Sequence, residues 1–175
     1  MSDEPATSQL ASNGFPPIIE ATSRVLILGT MPGVESLRRQ QYYANPRNQF
    51  WRILAAIFHS QVPETYTDRI ALLHQKHLAV WDVLQHCERP GSLDQAIRNA
   101  TPNDFRELFK TYENLRVIVF NGQKAHALFE QGVLKQLGPK EIKLPRLLMP
   151  STSPAATLPL STKIERWQQI ATWLE

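Results

Sequence analysis

Four short apolar runs, each followed by a polar or glycine-containing turn, divide the chain at irregular intervals. The first run is continuous rather than alternating, which indicates burial on both faces, as in a parallel sheet. The pattern predicts strands over residues 24–28, 78–84, 116–120 and 146–149.

Between these runs, apolar residues recur at the three- and four-residue spacing of amphipathic helices. The pattern predicts helices over residues 48–59, 93–99, 124–134 and 162–174. Another helix is expected to open at residue 101, with Thr101 as its cap and Pro102 in its first turn. Strands that alternate with helices predict a three-layer α/β/α sandwich around a central, mostly parallel four-stranded sheet.

The ends of the chain and its overall composition limit the classes of protein to which it can belong. Residues 1–14 are predicted to be a flexible N-terminal lead-in, and residues 15–175 a single α/β domain. The chain is 42% hydrophobic and 20% charged, which is typical of a soluble globular protein. It has neither a long apolar run nor a signal peptide, so we expect a cytoplasmic protein with no membrane partner. No feature requires more than a monomer.

Charge and thiol content narrow the chemistry further. The net charge of +3 permits a polyanionic partner but requires that any nucleic-acid contact be local. Cys87, the lone cysteine, excludes an intramolecular disulfide and any multi-thiolate cluster, and is interpreted as a packing residue. The five histidines form no ligand motif, so neither a metal nor a cofactor is expected.

The turn after the first strand, residues 29–33 (GTMPG), is the first candidate site segment. In an open α/β sheet, ligands bind beyond the carboxyl ends of the strands. The turn matches neither a Walker loop nor a dinucleotide-binding fingerprint. It is therefore either a plain tight turn or a cradle whose backbone N–H groups hold a phosphate or a carbonyl oxygen.

An aromatic and amide-rich segment, residues 41–51 (QYYANPRNQFW), follows. Trp51 is expected in the core, whereas at least one of Tyr42 and Tyr43 should present a flat face on which a nucleobase could stack. Asn48 is either a helix cap or an amide that orients water, and one residue can do both.

Two further strand ends carry polar residues. Asn121 closes the third strand and is by itself a weak signal. Residues 150–154 (PSTSP) follow the fourth strand and are either a loop of turn-forming residues or a set of hydroxyls that contact phosphates.

Taken in order, these segments resemble the uracil-DNA glycosylase superfamily, and within it the hypoxanthine-DNA (deoxyinosine) glycosylase branch. The resemblance runs from about residue 14 to the last helix. It rests on the segments 28–33, 36–37, 42–51, 91–94, 120–122 and 148–154, together with Asp82.

The resemblance implies a monofunctional DNA glycosylase that flips a deaminated base out of DNA and hydrolyses its N-glycosidic bond. Met31 stands where several branches carry a catalytic Asp or Asn, so the role is expected to shift to Asn48. Asp82 is a second candidate, either as a catalytic group or as a reader of the base edge, and a structural cap or ion pair is an equal alternative. The iron–sulfur branches are excluded, because one cysteine cannot supply the ligands of a cluster.

The remaining expected roles also follow from the resemblance. The base would be bound by Gly29, Thr30, Met31, Pro32, Tyr43 and Asn121. The DNA would be contacted by Ser151, Thr152, Ser153, Pro154, Ala155 and Lys163. The segment 154–156 would lie near the duplex as a wedge, although alanine is small for that purpose.

Two other classes of protein remain as alternatives. Met31 favours a non-catalytic nucleic-acid or nucleotide-binding module, because it removes the familiar catalytic side chain. A small-molecule enzyme with a serine nucleophile is disfavoured, because the chain has no Gly-x-Ser-x-Gly elbow.

Overall fold

A four-stranded sheet lies at the centre of the molecule. The computed structural model describes residues 11–175. The strands of the sheet are β2 (Val25–Gly29), β3 (Leu78–Asp82), β6 (Val117–Asn121) and β7 (Arg146–Met149). They lie in the order β3-β2-β6-β7, and every pair is parallel. The predicted parallel sheet is confirmed, and β2, β3 and β6 are buried along their whole length.

Helices flank this sheet and complete the predicted α/β/α arrangement. They are α1 (Val34–Arg39), α2 (Phe50–Ile57), α3 (Tyr66–Gln75), α4 (Phe105–Thr111), α5 (Gln123–Leu128), α6 (Lys135–Leu137) and α7 (Leu160–Trp167). A π-helical segment, Phe129–Leu134, joins α5 to α6, and 3₁₀ turns lie at Asp94–Ala96 and Gln168–Trp173. The amphipathic helix α2 packs against α7, which also contacts β7. Among residues 11–175, no helix has the length and apolar character needed to cross a bilayer.

A second, antiparallel sheet was not expected. It consists of β1 (Ala11–Asn13), β4 (Leu84–Glu88) and β5 (Arg98–Pro102), in the order β1-β4-β5. The expectation of a flexible lead-in over residues 1–14 is therefore wrong for Ala11–Asn13, because these residues pair with β4. Residues 1–10 lie outside the described residues.

The strand predicted over residues 78–84 is in fact the junction of the two sheets. After Asp82, the N–H groups of Val83 and Leu84 donate to the carbonyls of Gly29 and Thr30, and the chain then enters β4. Both Val83 and Leu84 are buried, so the apolar run continues through the change of sheet. A hydrophobic pattern reports burial and cannot register which partner strand a residue pairs with.

The helices predicted over residues 93–99 and from residue 101 are also corrected. The first is only the 3₁₀ turn Asp94–Ala96, and the mostly exposed polar residues after it form β5. Thr101 and Pro102 therefore belong to a strand, and Asp104 caps α4 by accepting a hydrogen bond from the Glu107 N–H at 3.2 Å. An exposed edge strand lacks the alternation that would reveal it in the sequence.

The cap of α4 gives a test of this boundary. We expect Asp104→Ala to lower the free energy of unfolding by about 1 kcal/mol, because a free N–H group of the first turn loses its acceptor. Asp104→Asn should retain most of that stability, since its amide oxygen can accept the same bond. Urea unfolding of the two variants measures the difference, and an equal loss in both would place the cap elsewhere.

Candidate active site

A cavity of about 520 Å³ opens at the carboxyl ends of the central strands. The turn after β2, the segment before α2, the ends of β3 and β6, and the loop after β7 all line it. Thirteen of the fourteen predicted site residues lie in its wall: Gly29, Thr30, Met31, Pro32, Tyr43, Asn48, Asp82, Asn121, Ser151, Thr152, Ser153, Pro154 and Ala155. Trp51 is buried in the core, as predicted, and lies outside the cavity wall.

The floor of the cavity depends on a close approach at Gly29. The register of the sheet sets Gly29 beside Asp82 on the neighbouring strand. A Cβ atom at position 29 would lie 2.6 Å from the Asp82 Oδ1 and 3.1 Å from the Tyr43 hydroxyl oxygen. The first distance is too short for any side chain, so glycine is required for the carboxyl and the phenol to share this place.

Asp82 is a buried carboxyl group with unused hydrogen-bonding capacity. It is only 5% exposed, and its Oδ2 has no hydrogen-bond partner among residues 11–175. Burial raises its pKa to about 7, the nearby Asp94 carboxylate adds to the rise, and the Arg89 guanidinium opposes it. Asp82 therefore changes protonation state near neutral pH and can present either a donor or an acceptor to the cavity.

Tyr43 is a fixed aromatic surface in the cavity wall. Its ring stacks on Phe50 with centroids 3.9 Å apart and an angle of 19° between the planes. Its backbone has φ = 52°, in the left-handed region that a bulky residue rarely adopts. The Trp51 indole N–H donates to the Tyr43 carbonyl at 3.2 Å, so tertiary contacts hold this strained conformation.

Asn121 connects three parts of the site. Its Nδ2 donates to the Tyr43 hydroxyl at 3.2 Å and to the Thr152 Oγ1 at 3.0 Å, while its Oδ1 accepts from the Thr152 N–H at 2.9 Å. Both amide hydrogens are therefore already in use. The geometry supports Asn121 as a residue that positions its neighbours rather than as a donor to a base.

Asn48 stands at the entrance to α2. Its Oδ1 accepts a hydrogen bond from the Phe50 N–H at 2.9 Å, while Gln49 is the formal N-cap and makes no side-chain cap bond. The N-cap position predicted for Asn48 therefore falls on Gln49, although the Asn48 side chain still satisfies an N–H group at the start of the helix. An amide oxygen has two lone pairs, so Asn48 keeps one acceptor position and its Nδ2 hydrogens for the cavity that it lines.

The turn after β2 offers backbone donors to the cavity. No hydrogen bond among residues 11–175 uses the N–H groups of Thr30 and Met31. The Thr30 hydroxyl itself donates to the Asp94 Oδ1 at 2.7 Å. The side chain of Thr30 therefore fixes the turn, whereas its backbone N–H is available to a ligand.

Arg89, Ser92 and Asp94 were not predicted to take part in the site. The buried Arg89 guanidinium donates to the Pro32 carbonyl and lies 3.4 Å from the Asp94 Oδ1. The Ser92 Oγ accepts from the Val34 N–H at 2.8 Å. The segment 91–94 is part of the family resemblance, but its sequence spacing does not indicate that it forms hydrogen bonds with the turn after β2.

The loop after β7 is only partly available to a ligand. Thr152, a predicted DNA contact, is 0% exposed and its hydroxyl accepts from Asn121, so this side chain offers no surface beside the cavity. Ser151 and Ser153 are half-buried, and Pro154 and Ala155 are exposed. The Ser151 and Ser153 hydroxyls accept from backbone N–H groups two residues ahead, which fixes the loop.

Lys163, a predicted DNA contact, is buried and makes its hydrogen bonds inside the protein. Its side chain is 0% exposed, and its Nζ donates to the Gln49 Oε1 at 2.9 Å and to the Ala156 carbonyl at 3.1 Å. The helical pattern placed it on the surface, but α7 turns this position inward. The ammonium group ties the start of α2 to the loop after β7, and the Gln49 N–H donates to the Thr152 carbonyl in the same junction.

No cluster of three or more His, Cys, Asp or Glu side chains suited to a metal ion occurs in the part of the chain that the structure describes. Cys87 is free and buried, which agrees with its interpretation as a packing residue. The groups that the cavity wall presents are the carboxyl, amide, phenol and backbone groups described above.

These features define a class of protein, an α/β protein with an open cavity at the carboxyl edge of its parallel sheet. The sequence profile described as the uracil DNA glycosylase superfamily matches residues 16–175. The chain belongs to the uracil DNA glycosylase superfamily.

Curated relatives and a solved structure agree with this membership. The chain is 36% identical over 117 residues to a hypoxanthine DNA glycosylase of Methanosarcina barkeri, covering 66% of this chain and 74% of the relative. It is 38% identical, with the same coverage, to a hypoxanthine DNA glycosylase of Methanosarcina acetivorans. It also resembles the solution NMR structure of a candidate uracil DNA glycosylase from M. acetivorans, with a TM-score of 0.79, 31% identity and coverage of 94% of this chain and 99% of the other.

The raised pKa of Asp82 predicts how stability depends on pH. A carboxyl group whose pKa is about 7 in the folded state, against 3.8 unfolded, holds its proton more tightly when folded. Its contribution to stability is therefore present below pH 4 and is lost as pH rises towards 7. We compare the unfolding free energy of Asp82→Asn with that of the unsubstituted protein. As pH increases from 4 to 8, we expect this difference to rise by roughly 2–4 kcal/mol in favour of the variant. Urea unfolding across this range measures the gain, and a pH-independent difference would contradict the raised pKa.

Proposed function

We propose that this protein removes hypoxanthine, uracil or both from DNA by hydrolysing the N-glycosidic bond, and that it leaves an abasic site. The observation that carries the proposal is the convergence of a tyrosine surface, free backbone donors and Asn48 in one cavity. Membership of the uracil DNA glycosylase superfamily, and relatives named as hypoxanthine DNA glycosylases, support the same activity.

Base binding would use the turn after β2 together with Tyr43. A base within a duplex is inaccessible, so the nucleotide must leave the stack and enter the cavity. Phe50 already covers one face of the Tyr43 ring, and we assign the other face to the flipped base. The N–H groups of Thr30 and Met31 are suited to a base carbonyl, beside Gly29 and Pro32 in the same turn. Asn121 takes part by holding the Tyr43 hydroxyl.

Hydrolysis would be directed by Asn48. In this reaction the oxygen of water bonds to the anomeric carbon, the electron pair of the glycosidic bond leaves with the base, and the proton that water loses ends on the departing base. The free acceptor position of the Asn48 amide would orient the water, and its bond to the Phe50 N–H keeps that amide in place. The backbone donors of the turn would stabilise the charge that develops on the departing base.

Asp82 would act on the same step in one of two ways. As a neutral acid, it could donate a hydrogen bond to the edge of the base, because the residue lines the cavity. As a carboxylate, it could stabilise positive charge on the sugar. Its pKa of about 7 makes both forms accessible near neutral pH.

The remaining proposals concern the DNA-facing loop, the type of glycosylase and the protein as a whole. Ser151, Ser153, Pro154 and Ala155 form the DNA-facing loop, because these residues keep exposed surface beside the cavity. No lysine lies among the described residues that line the cavity, which supports a monofunctional enzyme without a Schiff-base step. We further propose that residues 15–175 act as one domain, as a monomer, on intracellular DNA and without a cofactor.

A non-catalytic lesion-binding module is the second candidate. Met31, buried in the cavity wall, supports it because a thioether cannot orient or deprotonate water. Such a module would use the same Tyr43 surface and backbone donors. It would bind lesion DNA and release it unchanged.

A glycosylase assay separates these two functions. Duplexes with hypoxanthine, uracil or only normal bases are incubated with the protein, and abasic sites are then cleaved with alkali. We expect strand breaks at the hypoxanthine or uracil position and none in the undamaged duplex. Binding to lesion duplex without alkali-labile product under single-turnover conditions would establish the non-catalytic module instead.

The role of Asn48 is tested with two substitutions that separate capping from chemistry. Asn48→Ala should lower the single-turnover rate about 100-fold or more and also weaken the start of α2. Asn48→Ser keeps a side-chain acceptor for the Phe50 N–H but lacks the amide. It should therefore unfold at nearly the wild-type urea concentration and still lose the rate. A near-normal rate in Asn48→Ser would assign the chemistry to another group, with Asp82 the first to examine.

A further inference from the structure

Two large apolar side chains are exposed at the rim of the cavity. Leu93 is 51% exposed and Val34 is 54% exposed, and both contribute to the cavity wall. Within the described residues, the other large hydrophobic side chains with this degree of exposure are Val62 and Leu148, and neither lines the cavity. Half of this small group thus lies at the opening of the proposed base-binding site.

The backbone that carries Leu93 is firmly held on both sides. Ser92 is tied to the Val34 N–H through its Oγ and to Arg89 through its carbonyl, while Asp94 accepts from Thr30. The Leu93 carbonyl accepts from the Ala96 N–H at 3.0 Å. Leu93 is therefore a protruding side chain on a rigid support and not part of a loose loop.

An exposed leucine of this kind suits insertion between bases. When a nucleotide leaves the stack, it opens an apolar gap between the neighbouring bases, and proteins fill such gaps with Leu, Ile, Met, Phe or Pro side chains. The other exposed part of the rim, at Pro154 and Ala155, offers a proline ring and a single methyl group. Leu93 is the longer of these apolar groups.

The helix beside Leu93 is compatible with DNA at this rim. Val34 begins α1, which carries Glu35, Arg38 and Arg39 and so has one more cation than anion. Arg38 and Arg39 are themselves exposed and bind Glu35. The two exposed arginines place cationic groups beside the apolar rim, and the phosphates of a duplex are complementary to such groups.

We propose that Leu93, supported by Val34, is the wedge that enters the base stack where the damaged nucleotide is flipped out. The proposal rests on the proposed glycosylase function and adds to it the residue that opens the duplex. It assigns this role to the loop before the Asp94–Ala96 turn, rather than to the segment 154–156 that the sequence suggested.

The test compares substrates that need opening with substrates that do not. Leu93→Ala and Leu93→Met are assayed under single-turnover conditions on a paired duplex with hypoxanthine or uracil, and on the same lesion placed in a one-nucleotide bulge. Leu148→Ala, at another exposed leucine (44%) that does not line the cavity, is the matched control. Val34→Ala and Val62→Ala form a second matched pair. A 2-aminopurine base beside the lesion reports unstacking by fluorescence, independently of bond cleavage.

We expect Leu93→Ala to lose about tenfold or more in rate on the paired duplex, and less than threefold on the bulge. Leu93→Met should retain most of the rate, and Leu148→Ala should match the wild type on both substrates. Val34→Ala should show a smaller loss that is again confined to the paired duplex. The fluorescence rise seen with wild type should fall in Leu93→Ala.

Other outcomes would overturn the wedge. Equal losses on paired and bulged substrates would show a structural role, and an unchanged rate on the paired duplex would show none. If wild type makes no product from any lesion, the proposed function fails, and the fluorescence measurement still decides the wedge. If no product forms, the wedge is rejected when wild type and Leu93→Ala give the same 2-aminopurine signal, or when neither gives a signal.

Discussion

The close approach at Gly29 is the constraint on which the site depends. Parallel pairing of β2 with β3 sets Gly29 beside Asp82, and the missing side chain leaves room for the Asp82 carboxyl and the Tyr43 hydroxyl above the strand end. The same packing buries Asp82 and raises its pKa to about 7. One backbone position thus sets both the shape of the cavity floor and the protonation of its only deeply buried carboxyl among the described lining residues.

The polar groups that surround this floor are held before any ligand arrives. Asn121 bonds both Tyr43 and Thr152, and Lys163 bonds both Gln49 and Ala156. These bonds connect the segment before α2 with the loop after β7 across the cavity. Burying an amide and an ammonium group is unfavourable unless their hydrogen bonds are satisfied, so these contacts favour one arrangement of the two loops. A cavity organised in this way loses little further entropy when it binds a nucleotide.

The sequence predicted the parallel sheet because its strands are buried on both faces, and such strands carry continuous apolar runs. It did not predict β1, β4 and β5. Apart from Asp82, the run from Leu78 to Leu84 stays apolar while it passes from one sheet to the other, and β5 is mostly exposed and lacks alternation. For the same reason it assigned Thr101 to a helix cap, whereas the cap is Asp104. Hydrophobicity reports burial, and strand pairing is a separate property.

The sequence by itself determined which chemical groups meet, because short motifs at the ends of parallel strands converge on one edge whatever the details of the loops. Thirteen of fourteen predicted residues accordingly line one cavity. Only the tertiary structure decided what each group is free to do. Thr152 and Lys163 are occupied inside the protein, Asn121 positions its neighbours, and Arg89 and Asp94 clasp the first turn. Whether a side chain is free to bind a ligand depends on its burial and on hydrogen-bond partners that lie far away in the chain. A linear sequence pattern contains information on neither.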